Sequence, residues 1–100
     1  MEGYKVSISP SAQNDLIEIE AYLVNQDPEE AIRYITLFTE KIKTLTKSPD
    51  KYPPARDMQM RLRGYRMLFI ENYIVFYVHR NSTVELRRIL YARRQYENLI

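Results

Sequence analysis

The run Tyr73-Ile74-Val75-Phe76-Tyr77-Val78 constrains this chain more than any other stretch. All six residues are aromatic or β-branched, and successive side chains of a strand point to opposite faces, so an almost unbroken apolar run demands cover on both sides. It reads as a central strand. Tyr65 to Ile70 is a second apolar run, and Glu71-Asn72 between the two reads as a hairpin turn. Arg80-Asn81-Ser82 then turns the chain into a last strand, Thr83 to about Tyr91. Strict alternation in that strand groups Val84, Leu86, Arg88 and Leu90 on one face, with Glu85, Arg87, Ile89 and Tyr91 on the other. An arginine on an apolar face has two resolutions: Arg88 snorkels at a sheet edge, or a bulge near Arg87-Arg88 resets the phase.

The first half of the chain reads as one short strand and two helices. Tyr4, Val6 and Ile8 alternate with Lys5, Ser7 and Ser9, the period-two pattern of a strand with one buried face. Ser9-Pro10 is a helix start, with a hydroxyl to cap free backbone N–H groups and proline at the first helical position. Ala12, Leu16, Ile19 and Leu23 then recur at helical spacing and form one apolar stripe, while Asn14, Asp15, Glu18 and Glu20 fill other positions. Asp27-Pro28-Glu29-Glu30 repeats the start signal, with Glu30 spaced to reach back as in a capping box. The second helix is expected from Pro28 to about Thr46, with a stripe of Ala31, Ile35, Phe38, Ile42 and Leu45 flanked by Ile32, Tyr34 and Leu37. A link this short makes the two helices antiparallel, stripe against stripe. Ser48-Pro49-Asp50 and Pro53-Pro54 make Lys47 to Asp57 an exposed, stiff connection, and Arg61 to Gly64 is open among strand, turn and short helix. The expected class is α+β in the order β-α-α-β-β-β, a single domain over residues 1–100. A helical hairpin packs on one face of a small, mainly antiparallel sheet and leaves the other face free.

Charge is unevenly divided. Residues 61–100 carry eight arginines, no lysine and three acids, a net of +5, while residues 1–60 net −3, so the total of +2 conceals a lopsided chain. A planar guanidinium grips phosphate or carboxylate at two points and stacks on bases, which an ammonium does not. The absence of cysteine removes disulfides and thiolate metal sites, and one histidine falls short of a zinc ligand set, so no cofactor or metal is expected. The N-terminus lacks a basic start followed by an apolar run, and no stretch approaches the ~20 apolar residues that span a bilayer, so a cytoplasmic protein without membrane contact is expected.

The candidate functional residues follow from that asymmetry. Arg61, Arg63, Arg66 and Arg87 could gather on one side of the sheet as target-binding groups. Tyr91, Arg93, Arg94 and Tyr96 cluster at the exit of the last strand and are the candidates for chemistry. Interleaved Arg and Tyr suit RNA or single-stranded nucleic acid. Two other readings stand beside this one. The arginines could pair with the acids of the helical hairpin, or a basic groove could receive an acidic or amphipathic peptide. His79 could serve as a general acid or base, or simply close its strand as a polar group. Tyr34, Tyr65, Tyr73 and Tyr77 read as packing residues.

Taken together, the helix entry SPSAQNDL, the strand NYIVFYV and the ending RILYARRQY resemble the RelE/ParE superfamily of toxins from bacterial type II toxin–antitoxin systems, over essentially the whole chain. The resemblance implies the fold derived above and a cognate antitoxin as partner. It also implies one of two targets: RelE-like members cleave messenger RNA on the ribosome, and ParE-like members poison DNA gyrase. RelE-like members are expected to carry an arginine near the start of strand three, another just after strand four, and a Tyr or His near the C-terminus. Here Arg93, beside Arg94, matches the second, whereas Tyr73 or Ile74 stands at the first and Tyr96 lies one helical turn before the third at Leu99. A non-toxic superfamily member that only docks a partner protein is the alternative.

Overall fold

The computed structural model of the protein describes residues 3–93. Its elements are β1 (Lys5–Ile8), α1 (Pro10–Gln26), α2 (Pro28–Thr44), α3 (Met58–Leu62), β2 (Arg66–Ile70), β3 (Tyr73–Arg80) and β4 (Thr83–Tyr91). The four strands form one sheet in the order β1-β4-β3-β2, with β1 parallel to β4 and the other neighbours antiparallel. The α+β arrangement read from the sequence is the one observed, with α3 added between α2 and β2.

Both helix starts form where the capping residues stand. Ser9 Oγ accepts the Ala12 N–H and donates to the Arg87 carbonyl, so the residue that begins α1 also ties it to β4. Asp27 Oδ1 accepts the Glu29 N–H at the start of α2. The expected reach of Glu30 back to Asp27 does not occur. Asp27 also ends α1, where its N–H donates to the Leu23 carbonyl, and Glu30 instead binds Arg33. With only Asp27 between them, the helices pack as the expected antiparallel pair.

Two cores lie on the two faces of the sheet. On the helix side, Ala12, Ile19, Tyr34, Phe38 and Leu45 meet Leu68, Ile70, Val75, Tyr77, Val84, Leu86 and Ile89. On the other side, Ala55, Met60 and Tyr65 cover Met67, Ile74, Phe76, Val78 and Leu90. β3 contributes to both, as its unbroken apolar run requires. The second face is therefore not free. Met60 of α3 and Ala55 close part of it, and residues 47–57 are not wholly exposed, because Pro49 and Ala55 are buried. Tyr77 donates to the Pro49 carbonyl at 2.6 Å, and the Met67 and Ala55 N–H groups bond to the Pro53 and Tyr65 carbonyls. Gly64, at φ +87°, turns the chain from α3 into β2 in a conformation that other residues adopt only with strain.

The Arg88 conflict is resolved by the bulge. Phe76 pairs with Arg88 and Tyr77 with Leu86, leaving Arg87 as the extra residue of β4. Past it the alternation is reset, so that Ile89 enters the helix-side core and Leu90 the other.

Candidate functional site

The described arginines divide between the two faces of the sheet. Arg66 pairs with Tyr77 across the β2–β3 ladder, so it stands on the helix-side face, where it binds the Tyr52 carbonyl at 2.7 Å and lies 3.4 Å from the Asp50 carboxylate. Arg61 donates to the Ala55 and Arg56 carbonyls and holds the segment before α3. Arg87 lies on the other face, bonded to Glu85 at 3.1 Å and stacked over the Tyr65 ring at 5.7 Å. Arg63 caps the end of α3 and is exposed. The four are not brought together on one surface. Arg93 follows β4 and is exposed, while Arg94 and Tyr96 lie outside the described residues.

Arg88 goes furthest from the expected platform. β1 stops at Ile8, so the outer edge of β4 beyond Leu86 has no strand partner. Asp15 of α1 takes that place. Its carboxylate receives the Arg88 guanidinium in two bonds, Nε to Oδ2 at 2.7 Å and Nη2 to Oδ1 at 3.1 Å, and also the Ile89 N–H at 2.9 Å. Asp15 is only 8% exposed, and its bond holds Arg88 still more firmly in the charged form. The sequence carried a signal for this: Ala12, Asp15 and Ile19 are spaced three and four apart, so Asp15 sits on the buried stripe of α1. His79 meets a simpler end. Its Nε2 lies 2.7 Å from Asp50 Oδ1, and its ring stands edge-on to Tyr4.

One concavity is rich in tyrosine. A cavity of about 540 Å³ opens between the α1–α2 turn, the β2–β3 turn and the end of β4, with Tyr22, Tyr34, Tyr73 and Tyr91 in its walls. Tyr73 stands edge-to-face against both Tyr34 and Tyr91, with ring centroids 5.4 and 5.7 Å apart. Arg33 crosses the site from α2. It donates to Glu71 at 2.6 and 2.9 Å and to Glu30 at 2.9 and 3.2 Å, which holds both carboxyls below the usual range and the guanidinium above its own. Burial, with Tyr73 and Glu71 nearby, pushes the Tyr34 phenol up. Tyr34 was expected only to pack. The i,i+3 pair Glu30–Arg33 was visible in the sequence, but nothing local ties it to Glu71, 38 residues on.

The hairpin on the sheet, the parallel β1–β4 pair and the chemistry at the strand ends now permit comparison with known proteins. Residues 6–96 match the family model described as the ParE toxin of type II toxin–antitoxin systems, parDE. The chain belongs to the ParE toxin family. A solved structure described as the chromosomal ParDE TA system from P. aeruginosa superposes with a TM-score of 0.74 at 18% identity, over 90% of this chain and 97% of that one. That likeness is one of fold. No curated protein sequence matches the chain significantly. Among the described residues no helix is long and apolar enough to cross a membrane, and no cluster of His, Cys, Asp and Glu could hold a metal ion.

Proposed function

We propose that this protein is a cytoplasmic growth-inhibiting toxin that poisons DNA gyrase and is neutralised by a cognate antitoxin. The observation that carries the reading is the match of residues 6–96 to the ParE family. The site geometry supports the same choice of target. Clamping a scissile phosphate requires several donors converging on one point. At the strand-three position where a RelE-like nuclease would carry arginine, Tyr73 instead packs between Tyr34 and Tyr91, and Ile74 lies in the core. Arg61, Arg66 and Arg87 are engaged by partners within the fold.

Arg93 and Arg94 are the target-contacting groups in this reading. Arg93 is exposed just past the last strand and Arg94 is its neighbour in sequence, so Arg93→Ala with Arg94→Ala should abolish growth inhibition while leaving the thermal melt unchanged. The reading is tested by inducing the chain without its antitoxin, then running primer extension on transcripts and plasmid topology on the same cells. Growth arrest with intact messages and relaxed plasmids is expected. Messages cut on the ribosome with normal supercoiling would assign the RelE-like mechanism instead. Normal growth at full expression would leave a partner-binding module.

A further inference from the structure

The tyrosine-lined cavity contains a group that the fold leaves unsatisfied. Tyr34 is 2% exposed, and its hydroxyl has no hydrogen-bond partner among the described residues. Most buried polar atoms in folded proteins are bonded, so a buried, unpartnered hydroxyl on a residue that lines a cavity gains a partner when an occupant displaces the side chains that cover it.

The charges of the cavity say what kind. Glu30 and Glu71 contribute two carboxylates and Arg33 one guanidinium, a net of −1. Four of the five N–H groups of that guanidinium already donate to the two carboxylates, whose charge outweighs its own, so an anion would meet one remaining donor and a net repulsion. A cation meets the opposite situation. Ionised carboxylates keep further acceptor sites, a phenol oxygen can accept, and tyrosine faces attract ammonium and guanidinium groups. Tyr22 and Tyr91, 57% and 42% exposed, stand where an aliphatic stem would enter.

We propose that this cavity receives one cationic side chain, Arg or Lys, from the antitoxin. The inference rests on the toxin–antitoxin reading above and names the point at which the partner is held. Tyr34 then accepts a hydrogen bond from the incoming cation, and Glu71 supplies the opposing charge.

The test uses the purified toxin and the full-length antitoxin encoded with it, with Kd measured by calorimetry and the free toxin's melting temperature recorded in parallel. Tyr34→Phe removes the unpartnered hydroxyl, so the free toxin should melt at the same temperature or higher. Its antitoxin Kd should nevertheless weaken about tenfold, the loss of a hydrogen bond to a charged group. A purely structural role for Tyr34 would move both readouts the same way. Glu71→Gln should also weaken the complex. Replacing each Arg and Lys of the antitoxin with Met in turn should find one position at which, once the cation is gone, Tyr34→Phe weakens binding no further. Wild-type Kd in both folded toxin variants, or no such coupled position, would overturn the proposal. Failure of the wild-type toxin to bind the antitoxin at all would remove the toxin–antitoxin reading, and this inference with it.

Discussion

Asp15 shows how one side chain can serve two elements. It neutralises Arg88 and also satisfies the Ile89 N–H at the edge that β1 leaves open. Asp15→Ala should therefore remove the carboxylate from the Arg88 guanidinium and the acceptor from the Ile89 N–H together. Breaking a buried pair costs ~3–5 kcal/mol, and partial access of water to Arg88 lowers that to about 2–4 kcal/mol, read as a shift in the urea midpoint at constant slope. Tyr77 gives a second, pH-dependent prediction. Burial pushes its phenol up to about 12, against an ordinary value near 10 in the unfolded chain. Below pH 10 both states keep the proton and the contribution is whole. Between pH 10 and 12 the unfolded chain ionises first, so stability falls by about 1.4 kcal/mol per pH unit from this group, and Tyr34 acts in the same direction. Tyr77→Phe should flatten that decline in urea titrations at pH 10 to 12. At pH 8 it should cost ~1–3 kcal/mol, because the buried Pro49 carbonyl loses its donor.

Helix α2 allows a paired test at the scale of an element. Phe38 is in the helix-side core, whereas Ile32, on the same helix, is 68% exposed. Phe38→Asp should unfold the protein, since a buried unpaired charge costs several kcal/mol against a total of only ~5–15. Ile32→Asp should change stability by no more than ~0.5 kcal/mol in the same denaturation experiment. Both helix starts were legible because a cap and its proline are adjacent in sequence. The missing capping box was not, because it depends on Asp27 N–H being taken by the end of the preceding helix. Helix α3 could be read only as one of three alternatives, because five residues, Met58–Leu62, are too few to show a helical period. The cover it gives to the second sheet face was not legible. The bulge was foreseen only as one of two alternatives, since alternation alone shows that Arg88 is misplaced and not how the ladder accommodates it.

Across the whole molecule, the order of elements and the central place of β3 could be read from hydrophobic period, and the division of charge from counting. Where the charges end up could not. Arg88 meets Asp15 from 73 residues away and Arg33 meets Glu71 from 38, and only the folded chain brings those segments together. The arginine-rich half of the sequence divides its charge between two faces, with Arg66 on the helix side and Arg80 and Arg87 lining one pocket on the other, and the reading that arginines pair with acids of the hairpin holds for Arg88. In the proposed reading, a macromolecular target is met at the exposed end of β4, at Arg93. The most direct measurement is a supercoiling assay with purified gyrase, titrated with the purified toxin alone and after saturation with antitoxin. Dose-dependent loss of supercoiling that the antitoxin reverses, and that Arg93→Ala with Arg94→Ala abolishes, is the predicted result. Undiminished supercoiling at toxin concentrations that arrest translation on purified ribosomes would contradict it.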